Sequence, residues 1–390
     1  MRTIIYNGSV ITRTGLIEHG GLIIDSGKIA EIIASEPAVR PGDELVDAGG
    51  LYISPGFVDS HIHGGGGADV MDGTAEAVLH IAKTHIKYGL TSFLPTTLTA
   101  DPEKINAACS AVRAAMAAQA ASPRGGAKIL GIHLEGPFIS LKFKGAQNPL
   151  HIQAPSIEAF IKVTGGGDSV LRVSMAPEIP GAFELARYLA DRGVLVSVAH
   201  SDAGYDVMHA AAEHGFSHIT HMFNGMSGIK SPDYYASAGV IESALELDAY
   251  SAEIICDGRH MPPELIRLLA KCKPGEQMML TSDATRPTDM PEGPYELGGL
   301  PVILTDGVAM LADRSAFAGS VATSDRLVRN AVKYAGFDIV SAVNMLSYNV
   351  AKSIGVSDCA GSLEPGKAAD VLLFDGDINI KQVFCEGLRI

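Results

Sequence analysis

The sequence predicts an α/β protein, a (β/α)8 TIM-like barrel with a small β-sandwich domain built from both chain termini. Three observations predict it. Eight short apolar segments alternate with helix-compatible stretches along the middle of the chain, both ends read as strands, and several middle segments finish on His, Glu or Asp. A length of 390 residues suits one large domain of about 250 residues and a smaller one.

Residues 1–54 read as short strands and tight turns. Thr3-Ile4-Ile5-Tyr6 is strand-like, and Asn7-Gly8 is a turn signal. Gly20-Gly21 precedes Leu22-Ile23-Ile24, and Asp25-Ser26-Gly27-Lys28 turns the chain into Ile29–Ile33. Residues 358–390 look alike, with Val371–Phe374 and Gln382-Val383-Phe384 as strands. The two ends together predict one small β domain, leaving residues 55–357 for the barrel.

Within 55–357 the eight segments are Gly56–Asp59, Thr91–Leu94, Ile129–Ile132, Val170–Val173, Val194–Val198, His218–Thr220, Ala252–Ile255 and Met278–Leu280. Strands alternating with helices imply a parallel sheet, and eight of them point to a closed barrel. An Ala-rich helix over Ala107–Ala121, stopped by Ser122-Pro123, fills the gap between the second and third. The rhythm breaks between Pro287 and Gly319. There Val302–Leu304 and Val308–Leu311 flank Thr305-Asp306-Gly307, which predicts a hairpin insertion near 295–315 at the barrel mouth. Helical patterns resume at Thr323–Tyr334 and Ile339–Ile354.

Composition narrows the function classes. A formal net charge of −14 argues against nucleic acid or an anionic membrane as partner, because both need a basic surface. A small anionic substrate needs only a local positive pocket. Met1–Val10 has no signal-peptide character, and no apolar run reaches a membrane span. The five cysteines (Cys109, Cys256, Cys272, Cys359, Cys385) are scattered and odd in number, with no Cys-x-x-Cys pair. They predict neither a disulfide framework nor a zinc knuckle, and a reducing cytoplasm.

The chemistry lies in what ends the strands. The first segment runs into His61-Ile62-His63, the third into His133-Leu134-Glu135 and the fifth into His200. His221 ends the sixth and Asp283 the eighth. Residues two apart on a strand share a side, so His61 and His63 face one point. Strand ends of a barrel converge on one mouth. With 13 His in the chain, roughly 0.4 His-x-His spacings arise by chance, so that pair alone is weak and the set of strand ends carries the argument. His19, His80, His85, His151, His209 and His214 read as surface or packing residues, and His133 and His218 as structural.

Pro55–His63 resembles the opening metal motif of the amidohydrolase superfamily. Gly131–Phe138 with Lys144–Pro149, Ala199-His200-Ser201, Thr220–Met226, Asp257–His260 and Ser282-Asp283-Ala284 resemble the N-acetylglucosamine-6-phosphate deacetylase family, in collinear order over essentially the whole chain. Gly361–Asp370 is similar to a superfamily-wide feature. The resemblance implies a divalent metal, zinc or iron, with one or two ions per subunit. It assigns Glu135, His200 and His221 to the principal ion. With both histidines of the first motif present, it favours a second ion on His61, His63 and Asp283, bridged by Glu135. The implied reaction is metal-assisted amide hydrolysis. Asp283 takes a proton from the attacking water and returns it to the departing amine.

The same resemblance gives sugar contacts to His260 and Gln147, and phosphate contacts to Asn224 and Gly225. Many relatives have His where this chain has Gln147. The family's phosphate-gripping Arg is absent from Ser227–Tyr235, where Lys230 is the substitute as a point charge. Arg259 and Arg286 read as surface charges. Phe317 stands where the family often has Leu beside the acetyl methyl.

The resemblance implies N-acetylglucosamine 6-phosphate, an amino sugar phosphate, as substrate and a homodimer as the assembly, which the cysteine pattern places in the cytoplasm. The alternatives are the galacto epimer or an unphosphorylated N-acyl sugar, then a dihydroorotase-like or D-aminoacylase-like amidohydrolase, and last an inactive scaffold.

Overall fold

Alternation along the chain sets the architecture. The structure, a computed structural model, describes residues 2–34, 38–122, 125–231 and 234–390. Met1, the expected helix stop Pro123, and Pro232 and Asp233 of the Arg-less stretch lie outside the described residues. The fold is mixed α/β. All eight apolar segments are strands: Phe57–Ile62, Leu90–Pro95, the pair Lys128–Ile129 and Ile132–Glu135, Val170–Met175, Leu195–Val198, Phe216–Ile219, Ser251–Ile255 and Met278–Thr281. Every neighbouring pair is parallel.

The third segment is split at Leu130-Gly131. Its first piece pairs with Leu90–Pro95 and its second with Val170–Met175, so the ladder falls into a three-stranded and a six-stranded sheet. Single parallel bridges, Thr96 to His133 and Ile62 to Ala284, link the two sheets at their edges. Helices such as Ala75–Ile86, Pro102–Ala121 and Pro263–Cys272 follow the strands. Pro102–Ala121 begins with Pro in its first turn behind the Asp101 cap, which accepts the Glu103 N–H. The apolar strand residues Phe57, Phe93, Val173, Val196 and Ile254 join helix residues such as Ile81, Val112 and Leu185 in the main core. Each such side chain contributes about 1.5–3 kcal/mol on burial.

A second sheet draws on both ends of the chain. Its order runs Leu388–Arg389, Ile380–Cys385, Val371–Phe374, Tyr52–Pro55, Arg2–Ile11, Leu16–Asp25, Lys28–Ile33, with Glu44–Asp47 also on Arg2–Ile11. Its own core holds Ile5, Val10, Leu22, Ile29, Ile53, Val371 and Phe384. Ser26 and Gly27, at φ 52° and 77°, make the expected tight turn between Leu16–Asp25 and Lys28–Ile33.

Other local expectations need correction. Asn7-Gly8 does not turn the chain. It lies inside Arg2–Ile11, where register shifts on both sides of Gly8 and an Asn7 φ of 60° mark a bulge. The helical pattern over Ile339–Ile354 breaks at Leu346-Ser347 into two short helices. That over Thr323–Tyr334 passes from α-helix at Ser324–Asn330 to π-helix at Ala331–Ala335.

The insertion is a three-stranded antiparallel sheet, because Gly293–Leu297 joins the expected pair Leu300–Thr305 and Val308–Leu311. Leu297, Val302, Ala309 and Leu311 seat it on Leu98 and Ala318.

Candidate metal centre

Strand geometry delivers the ligand-type side chains. His61 lies near the end of Phe57–Ile62, and His63 follows that strand directly. Glu135 ends Ile132–Glu135, while His200, His221 and Asp283 each stand two residues beyond their strands. Asp59 ties the first strand to the last. It accepts the His61 N–H and the Thr281 hydroxyl on one oxygen, and the Ser282 N–H and hydroxyl on the other. His200, His221 and Asp283 adopt φ values of 47°, 31° and 47°. Such left-handed backbone costs on the order of 1–3 kcal/mol at a residue with a side chain, and it collects at functional sites.

These residues converge on the Glu135 carboxylate. The Nε2 atoms of His221, His200 and His61 lie 3.1, 3.3 and 3.5 Å from Oε1, and that of His63 lies 3.2 Å from Oε2. Asp283 Oδ1 sits 3.4 Å from His61 Nε2 and 3.2 Å from His63 Nε2. Two groups, His61–His63–Glu135 and Glu135–His200–His221, each bring their donor atoms within 4.8 Å of one another.

The far sides of the rings fix what the near sides offer. Nδ1 of His63, His200 and His221 donates to the carbonyls of Thr96, Phe143 and Asn224, at 3.2, 2.8 and 3.1 Å. Nδ1 of His61 donates to Glu253 Oε1 at 2.9 Å. These acceptors require a proton on each Nδ1. In the neutral rings the Nε2 lone pairs then face Glu135, which is the arrangement a divalent ion needs.

Electrostatics agrees with that fit. Burial alone pushes the His63 imidazole down, but hydrogen bonds and charge from Asp283 and Glu135 carry it up to about 9. His61 is raised well above the usual range by the same carboxylates against the same burial. Glu135 is held well below the usual carboxylate range, chiefly by His61, despite its burial. A field that attracts protons so strongly attracts a cation.

A cavity of about 240 Å³ opens on this cluster, far more than one water occupies. It is lined by His63, Glu135, His200, His221 and Asp283 together with Gln147, Asn224, Gly225, His260 and Phe317. Gln147 donates to Glu135 Oε2 at 2.8 Å and accepts the Thr99 N–H at 2.7 Å. His260 is held by Asp257 at 2.8 Å, and its ring centroid lies 4.5 Å from that of Phe317. Lys230 is not among the lining residues. Its ammonium meets the Asp202 backbone oxygen at 2.7 Å and the Asp202 carboxylate at 2.5 Å. Arg286 pairs with Asp72, and Arg259 donates to the Asp306 carbonyl.

Sequence reasoning missed the residues beneath the centre. Glu253 and Arg172 are fully buried, and the Arg172 guanidinium meets both Glu253 oxygens, at 2.5 and 2.8 Å. Burial pushes the Glu253 carboxyl up, but Arg172 and His218 outweigh it and hold it well below the usual range. A signal was present, since each charge interrupts an otherwise apolar segment, Val170–Val173 or Ala252–Ile255. His133, buried against Ser174 and Thr96, and His218, against Ser251 and Glu253, stay out of both donor groups.

The sequence profile of the amidohydrolase family matches residues 52–389. The chain belongs to that family. This amidohydrolase is 33% identical over 380 residues to an N-acetylglucosamine-6-phosphate deacetylase of Bacillus subtilis (strain 168), covering 97% of this chain and 94% of the relative. It is 32% identical to an N-acetylgalactosamine-6-phosphate deacetylase of Escherichia coli O157:H7, covering 97% and 96% of the two chains. Among solved structures, it resembles a mutant N-acetyl-D-glucosamine-6-phosphate deacetylase of Mycobacterium smegmatis in complex with N-acetyl-D-glucosamine-6-phosphate. There the TM-score is 0.90 and the identity 30%, covering 100% of this chain and 98% of that one.

Proposed function

We propose that this amidohydrolase hydrolyses the acetamide of N-acetylglucosamine 6-phosphate to glucosamine 6-phosphate and acetate. One observation carries the reading: four imidazole Nε2 atoms and Asp283 converge around Glu135 on the floor of a cavity. The likeness to deacetylases over nearly the full chain supports the substrate.

Glu135, His200 and His221 would hold one divalent ion. His61, His63 and Asp283 would hold a second, with Glu135 shared. Zinc suits a mixed imidazole and carboxylate set, and iron does too. The ion supplies Lewis acidity, which makes water acidic near neutral pH and polarises the carbonyl.

The chain's own residues do the rest. Asp283 accepts the proton as water oxygen bonds to the acetyl carbon, then delivers it to the amine nitrogen as the C–N bond breaks. Gln147 holds the second oxygen of Glu135 in place. His260, braced by Asp257, and Phe317 border the space for the sugar and acetyl group, and Asn224 and Gly225 offer polar contacts for the phosphate.

The same reading takes the parallel strands as a closed (β/α)8 barrel, supported by their order and the two edge bridges. It takes residues 1–54 and 358–390 as a separate small β domain, supported by a sheet with its own core. Exposed Ile229, Tyr234 and Tyr235 support a homodimer, and five unbridged cysteines fit the cytoplasm.

A second reading, an unphosphorylated or galacto-configured N-acetyl sugar, is favoured by one feature. No Lys or Arg lines the cavity among the described residues. Measuring kcat/KM for the gluco and galacto sugars, each with and without 6-phosphate, separates the two. The first reading expects the 6-phosphorylated gluco sugar to lead by at least about tenfold, or 1.4 kcal/mol. Preference for either alternative overturns it.

A further inference from the structure

The four imidazoles are not held alike. His63, His200 and His221 rest their Nδ1–H groups on neutral backbone carbonyls, whereas His61 alone rests its own on a carboxylate, Glu253. Glu253 cannot swing away. Arg172 grips both of its oxygens, and the guanidinium is itself tied to the hydroxyls of Ser60 and Thr220 at 2.8 and 2.9 Å. None of these groups reaches the cavity. A carboxylate behind an imidazole fixes its tautomer and strengthens it as a donor more than an amide carbonyl does.

We propose that Glu253, held by Arg172, is a positioning residue that selectively strengthens the ion site containing His61 and His63, and so sets whether the centre holds two ions or one. This rests on the reading of the cluster as a metal centre. The Glu135–His200–His221 group owes its ring orientations to Phe143 and Asn224 carbonyls and is largely indifferent to Glu253. Two links run in that direction, the His221 backbone N–H at 3.2 Å from Glu253 Oε1 and the Met222 N–H at 2.8 Å from the Glu253 carbonyl; both use main-chain donors, and Glu253→Gln keeps an oxygen for each.

The test measures ion stoichiometry and stepwise affinity of the full chain with zinc by elemental analysis and competitive titration, with folding followed by circular dichroism. The wild type is expected to bind two ions. Glu253→Gln keeps an acceptor for His61 and removes the charge. It is expected to weaken one ion by about 10–100-fold and leave the other within about threefold. In a His63→Ala background, where only the His200 and His221 group remains, adding Glu253→Gln leaves the remaining affinity unchanged.

Because Glu253→Gln leaves Arg172 buried without its partner, Arg172→Met/Glu253→Gln, which removes both charges, is measured in parallel and is expected to behave the same way. Unchanged affinities, equal weakening of both ions, or a wild type with a single ion overturns the proposal. A wild type that binds no ion instead overturns the metal-centre reading beneath it.

Discussion

Asp59 accepts the Ser282 hydroxyl at 2.6 Å and the Ser282 N–H at 2.9 Å, joining residues 223 positions apart. This contact sets Asp283, the next residue, against His61 and His63. Asp59→Ala leaves buried donors on Thr281 and Ser282 without an acceptor, at a cost of roughly 1–3 kcal/mol each. Urea unfolding is expected to find a loss of about 2–6 kcal/mol, and turnover of the folded fraction is expected to fall. Wild-type stability in the variant contradicts the role given to Asp59.

Asp283→Asn tests proton transfer. The amide keeps an oxygen toward His61 and His63 but cannot take the proton from water. Acetate release should fall by about 10²–10⁴-fold, while at least the ion held by Glu135, His200 and His221 stays bound by elemental analysis. Turnover near the wild-type rate removes Asp283 as the base.

Gly225 has φ 60°, and a Cβ built on it would stand 2.9 Å from His200 Nδ1. Gly225→Ala therefore strains the backbone and pushes the ring off the Phe143 carbonyl. Zinc titration should give an affinity about tenfold weaker or worse. Gly228→Ala is the control, because its nearest atoms lie 3.6 Å away, and it should bind zinc like the wild type. Equal affinities for the two variants count against the close packing at His200.

Burial carries the Asp370 carboxyl up to about 6, although it accepts the Glu386 N–H at 2.8 Å. A raised folded-state value means the folded protein binds this proton more tightly than the unfolded chain. The group's contribution is therefore full below about pH 4 and is lost as pH rises through about 6. Asp370→Asn retains the acceptor and removes that dependence. In a pH series of urea unfolding, the variant should gain on the wild type by on the order of 2 kcal/mol between pH 4 and 7. A constant difference between the two proteins refutes the shift.

Local patterns carried much of this structure. His61 and His63 were legible because a strand repeats every two residues, and His200, His221 and Asp283 because each follows a β-branched or apolar run. The eight strand positions were legible for the same reason. The bulge at Asn7-Gly8 was not, since its register depends on pairing with Leu16–Asp25. Gly293–Leu297 begins with Gly-Pro and becomes a strand only against Leu300–Thr305.

Arg172 and Glu253 were individually visible as charges in apolar segments. Their pairing is a contact across 81 positions that only the assembled sheet makes. Lys230 illustrates the reverse, because its charge is committed to Asp202, a neighbour that no motif indicates.

The central claim is that Glu135 and the surrounding imidazoles hold a divalent ion needed to cut the acetamide. The most direct test strips the protein with a chelator, restores zinc or iron one at a time, and measures acetate release from N-acetylglucosamine 6-phosphate. The account predicts that stripping abolishes release to below about 1% and that one or two ions per chain restore it. Undiminished release from the stripped protein, or no release from any loaded form, contradicts it.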